Sequence, residues 1–192
     1  MGAAMVTSAA LRRSPVSETE SRWFQVAAEG DATELCLQMG HGANLNAQDS
    51  RGMTAAMTTA ARGHKACLSL LAQRGAELDM FDHLDWTAAM HAAFRGHYDC
   101  LKVLVDCGVD LDAQDFLGTT AAIRAAIGGH EACVRLLAEH GANLRHKDHM
   151  GIIAEVHAIR KGHSPCAQVL KEKCAPLLPL EGHLCYEGQK GR

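Results

Sequence analysis

Aromatic side chains are scarce in this sequence, 4% of 192 residues, which disfavours a single bulky core and suits small, tightly apposed helices. Neither sign of charge dominates: the formal net charge is −3. Nucleic-acid binding draws on clustered Lys and Arg, so no direct nucleic-acid partner is expected. No apolar run approaches the ~20 residues of a membrane span, and no membrane insertion is expected. The strings that mark phosphate loops, nucleophile elbows and zinc helices (Gly-x-Gly-x-x-Gly, Gly-x-x-x-x-Gly-Lys-Ser/Thr, Gly-x-Ser-x-Gly, His-Glu-x-x-His) are missing, as is any Cys-x-x-Cys pair. These absences point away from an enzyme and from a bound cofactor.

A strict period is present instead. Gly63-His64, Gly96-His97, Gly129-His130 and Gly162-His163 follow one another at steps of 33. The same step separates Asp49, Asp82, Asp115 and Asp148, and again Gly42, Gly75, Gly108 and Gly141. A fixed period in the range of about 20–50 residues marks one supersecondary unit, repeated and stacked.

The cysteines and histidines obey that period as well. Cys67, Cys100, Cys133 and Cys166 each stand three residues past a Gly-His histidine. Helices in adjacent units pack about 8–10 Å apart. That separation is too large for shared zinc bonds of about 2.0–2.3 Å or for a disulfide, whose Cα atoms lie within about 7 Å. The four cysteines are expected as small buried hydrophobes with no metal. Reduced thiols point to the cytoplasm or the nucleus.

Within a unit the order of signals is constant. Asp49-Ser50-Arg51-Gly52 reads as a turn, Thr54 as a helix N-cap, and Ala55 to Ala60 as a short helix stopped at Gly63. A second helix from about Lys65 to Arg74 turns Cys67, Leu68, Leu70 and Leu71 inward and ends at Gly75. Units starting near 82 and 115 repeat this closely. The unit near 148 carries Ile153 and Glu155 as irregular members, and a partial unit spans 21–46.

This order, Asp-x-x-Gly-x-Thr, Ala-Ala, Gly-His, Leu-Leu, Gly-Ala, resembles the ankyrin repeat over about residues 21–178. One departure is consistent. Where the family has Pro-Leu-His, this chain has Ala55-Ala56-Met57, Ala88-Ala89-Met90, Ala121-Ala122-Ile123 and Ala154-Glu155-Val156. The resemblance implies an all-α solenoid of helix-turn-helix units with β-turn fingers. It also implies a structural role for the Gly-His histidine, and a concave face of turns and first helices that binds other proteins.

Carried over by position, that face comprises Arg51, Met53 and Arg62 in the first full unit, and His83, Leu84, Trp86, Phe94 and Arg95 in the second. Phe116, Leu117 and Ile127 follow in the third, His149 and Met150 in the fourth, with Phe81 at the base of a turn. Trp86, Phe94, Phe81, Phe116 and Leu117 are apolar where water is expected, with Arg62 and Arg95 beside them. Aromatic and arginine anchors are the make-up of binding hot spots. The competing reading tucks some of these rings against the next repeat. The expected function is a non-enzymatic, monomeric adaptor or regulatory protein that binds a partner protein. A small-molecule or nucleotide-sensing stack is the alternative.

The ends carry separate expectations. Residues 1–20 read as a disordered, serine-rich leader. Met1–Ala10 lacks the basic start of a secretory signal, and Val6 stands where a myristoylation motif has Ser or Thr. Arg12 and Arg13, with no acid before Glu18, are only weakly similar to a mitochondrial presequence. Trp23 and Phe24 are expected to close the first end of the stack, and Leu177 to Leu184 to fold over the last helix. Residues 179–192 read as a tail.

Overall fold

The computed structural model describes residues 18–174. Residues 1–17 of the leader expected over 1–20, the stretch Leu177 to Leu184 and the tail 179–192 lie outside these residues. Among the described residues there are ten helices and no strand, as expected of an all-α solenoid. They form five successive pairs: α1 (Glu18–Glu29) with α2 (Ala32–Gly40), α3 (Ala55–Arg62) with α4 (Lys65–Gln73), α5 (Ala88–Arg95) with α6 (Tyr98–Asp106), α7 (Ala121–Gly128) with α8 (Glu131–Glu139), and α9 (Ala154–Lys161) with α10 (Ser164–Cys174). The first helix begins at Glu18, inside the span expected as leader.

Odd-numbered helices stack on one another as an inner row and even-numbered ones as an outer row. The inner row is built from alanine because its helices must approach closely. Ala55, Ala56 and Ala60, Ala88, Ala89, Ala92 and Ala93, and Ala121, Ala122, Ala125 and Ala126 are all buried. The outer helices α4, α6, α8 and α10 repeat a buried cysteine and a buried leucine at fixed places: Cys67 with Leu71, Cys100 with Leu104, Cys133 with Leu137, Cys166 with Leu170. All are buried, and the cysteines are free thiols. Burial pushes the Cys100 and Cys133 thiols up to about 11, which suits their role as apolar filler. Trp23 is buried in α1 as part of the core, and Phe24 packs half-buried beside it.

Local chemistry sets the helix starts. The Thr54 and Thr87 hydroxyls accept hydrogen bonds from the amides of Met57 and Met90, 3.2 and 3.4 Å away. Met57 occupies the place of the family's helix histidine, and its sulfur accepts a bond from the Thr54 amide at 3.4 Å. In the third and fourth units this signal weakens. Thr120 makes no side-chain cap bond, and Ile153 has none to make.

The Gly-His pairs lock successive units. His64, His97, His130 and His163 donate from Nε2 to the carbonyls of Ala28, Ala61, Phe94 and Ile127, at 3.0–3.1 Å. Each ring lies over the glycine that ends the preceding inner helix. A Cβ at Gly63, which has φ 80°, would come within 2.7 Å of the His97 ring. One residue of the pair therefore serves its own unit, and the other serves the junction with the unit before. The fingers are tied separately. The amide of His83 donates to the carbonyl of Arg51 at 3.0 Å, and that of His149 to the carbonyl of Leu117 at 2.9 Å.

Candidate functional site

The four turn aspartates build the fingers. In each, Oδ1 accepts two backbone amides: Arg51 and Met53 on Asp49, Leu84 and Trp86 on Asp82, Leu117 and Thr119 on Asp115, Met150 and Ile152 on Asp148. These bonds close an Asx turn, with Arg51, Leu84, Leu117 and Met150 exposed at its tip. The other oxygen, Oδ2, reaches a side chain nine positions on, in the middle of the inner helix. His91 donates to Asp82 at 2.8 Å, His157 to Asp148 at 2.7 Å, and Arg124 forms a buried ion pair with Asp115. Thr119 adds its hydroxyl to Asp115 at 2.5 Å.

Position nine in the first full unit is Thr58, too short to reach, and Oδ2 of Asp49 pairs with Arg51 instead. Burial raises the pKa of Asp49, Asp115 and Asp148, but amide bonds and these side-chain partners outweigh it and hold all three below the usual carboxylate range. Burial pushes His91 the other way, below its ordinary value. Asp82 opposes this, and the charges of Arg95 and Arg51 reinforce it.

Two surfaces result. On the fingers, Phe81, Leu84, Phe116 and Leu117 are 45–53% exposed, and Met150 is 78% exposed. Along the inner helices of the first units lies a groove of about 620 Å³, lined by Phe24, Ala28, Met53, Thr58, Ala61 and His64, with Arg51, Arg62, Arg95, Asp49 and His91 around them. No group of three or more metal-binding side chains lies close together among the described residues. No described helix is long and apolar enough to cross a membrane.

A family model for ankyrin repeats, in three copies, matches residues 23–115 and 107–177. The chain belongs to the ankyrin-repeat family. A search of curated proteins finds no match. Ankyrin repeats are protein–protein interaction modules in general, and the family is typically non-enzymatic.

The residues expected on the ankyrin concave face separate into three sets. Phe81, His83, Leu84, Phe116, Leu117, His149 and Met150 are exposed on the fingers. Arg51, Arg62 and Arg95 are exposed around the groove. Met53 corrects the expectation of an exposed side chain. It is only 8% exposed, because the chain turns back toward the core between Gly52 and Thr54, and only its edge floors the groove. Trp86, Phe94 and Ile127 are not fully exposed either. The Trp86 ring meets Phe94 edge-on with centroids 5.5 Å apart, tilts against His91 at 5.0 Å, and carries the Arg124 guanidinium 4.0 Å above its face. Trp86 and Ile127 also pack against the core. Of the two readings for these rings, Trp86 follows the one in which a ring tucks against the next repeat, under Arg124, whereas the Phe94 ring packs on Trp86 within its own unit.

Sequence reasoning passed over the polar stripe Thr58, His91, Arg124 and His157. Its signal was available, since these residues repeat the 33-residue step inside helices otherwise rich in alanine.

Proposed function

We propose that this ankyrin stack is a non-enzymatic adaptor or regulatory module, monomeric, docking a partner protein on the second and third fingers. One observation carries the reading: four large apolar side chains, Phe81, Leu84, Phe116 and Leu117, stand about half exposed on two successive fingers. Clustered exposed apolar groups mark interaction surfaces. The core does not need them, since its continuous cluster of buried side chains closes without them. Arg62 and Arg95 supply the charged part of a mixed aromatic and arginine contact. Seven free cysteines among the described residues fit a reducing compartment, and we place the protein in the cytoplasm or nucleus.

The alternative of a small-molecule or nucleotide sensor draws support from the groove, whose volume lies within the usual span of ligand sites, about 300–1,000 Å³. A photo-crosslinking amino acid placed at 116, and in a second protein at Lys102 on outer helix α6, tests the protein-binding reading in cells. Discrete adducts to another protein at 116 and none at 102 are expected. Equal labelling at both, or none at 116, rejects it.

A further inference from the structure

Thr58 holds the place that His91, Arg124 and His157 fill in the other full units. Those longer side chains span the gap between inner helix and finger to reach the turn aspartate. Thr58 leaves that gap open, and the 620 Å³ groove lies there, with Met53 and Thr58 in its lining. The Thr58 hydroxyl makes no hydrogen bond although the residue is only 6% exposed. A buried hydroxyl that has given up its water is unfavourable until something pairs with it.

The charge around this gap is one-sided. Arg51, Arg62 and Arg95 line it, and Asp49 is the one carboxylate among the lining residues. Asp49 is already engaged by Arg51 at 2.9 Å, whereas Arg62 and Arg95 form no ion pair among the described residues. The groove is therefore positive in a chain whose formal net charge is −3. The three guanidinium groups sit on a finger, on the end of α3 and on the end of α5, so they suit carboxylates spaced along an extended chain better than one compact anion. Residues 1–17 do not have the charge for this place, for they carry Arg12 and Arg13 and no acid. Residues 175–192 balance Glu181 and Glu187 against Lys190 and Arg192.

We propose that this groove seats an acidic linear segment of the partner protein, its Asp or Glu carboxylates on Arg62 and Arg95 above the unpaired Thr58 hydroxyl. This rests on the reading of the stack as a protein-binding module. It adds that the partner's contact has an acidic stretch beside the part that meets the apolar fingers.

The test uses the full chain, fluorescence anisotropy at low salt, and two labelled probes, decaglutamate and decaglutamine, with tripolyphosphate as competitor. Decaglutamate should bind and decaglutamine should not. The double variant Arg62→Gln/Arg95→Gln, checked for an unchanged melting temperature, should weaken decaglutamate binding by about tenfold or more. Lys171→Gln/Lys173→Gln on the outer helix α10 should leave it intact. Equal binding of both probes, no loss in the arginine variant, or a compact anion that binds more tightly than the peptide each overturns the proposal. Phe116→Ser/Leu117→Ser separates the two readings. With the photo-crosslinker moved to position 84, it should retain decaglutamate while losing the crosslinked partner. Adducts at 116 without probe discrimination reject the acidic segment alone. Probe binding without adducts rejects the finger-docking reading.

Discussion

Arg124 lies over the face of Trp86, its guanidinium carbon 4.0 Å from the ring centroid, and so ties inner helix α7 of the third full unit to the second finger. The same guanidinium pairs with the buried Asp115 of its own finger. Replacing Trp86 by Ala removes ring burial and a cation–π contact and uncovers a charge held in a fixed place. A loss of about 2–4 kcal/mol is expected. Phe116→Ala should stay within about 0.5 kcal/mol of wild type, because its ring is exposed. Urea unfolding of the two variants decides this, and equal losses would contradict the division between junction and surface.

Gly63 and Gly75 share a left-handed backbone, φ 80° and 81°, but differ in surroundings. A Cβ at Gly75 meets nothing within 4 Å, whereas one at Gly63 strikes the His97 ring. Gly75→Ala should cost about 1–2 kcal/mol from backbone strain alone, and Gly63→Ala more. Adding His97→Ala to Gly63→Ala should recover part of the excess, so the double variant falls short of the sum of the singles. Thermal or chemical unfolding of this cycle measures the coupling. Strict additivity would reject the steric account of the Gly-His pair.

How far the sequence reaches is visible in these residues. Gly63 and His97 were legible as repeat framework, because any residue needed at every junction recurs at the repeat period. The exposed Phe116 and Leu117 were legible too, because turn positions point outward once Asp115 closes the finger. Trp86 was not, since its burial depends on Arg124 in the next unit, a contact that no pattern local to residue 86 encodes. Met53 failed for a related reason: the path of the chain after Gly52, not the residue type, turns it inward.

Asp85 has φ 56°, the one non-glycine in that region among the described residues, at the place held by Gly52, Gly118 and Gly151 elsewhere. Asp85→Gly should relieve this strain and stabilise the stack by about 0.5 kcal/mol, after the greater unfolded-state freedom of glycine is offset. A lowered melting temperature would show that Asp85 makes a favourable contribution to its finger.

Acid should loosen the stack at a defined group. His91 has its pKa lowered below the ordinary 6.5 by burial, against the pull of Asp82. The unfolded chain then takes up the proton first. The contribution of neutral His91 to stability is fully present above the ordinary value and is lost as pH falls through the lower folded one. Melting temperature should fall as pH drops through the ordinary 6.5 toward the lower folded value, and His91→Gln should flatten that fall. An unchanged slope in the variant would place the titration elsewhere.

The central claim is that binding and stability reside on different residues of each unit. Its most direct measurement pairs crosslinking yield with melting temperature, using a photo-crosslinker at position 84, for two variants. Phe116→Ser should abolish the adducts while leaving the melting temperature near wild type. Leu104→Ala, which opens a cavity in the outer row, should cost about 2–5 kcal/mol of stability while the folded fraction still forms the adducts. Adducts that persist in Phe116→Ser, or that vanish in folded Leu104→Ala, would contradict it.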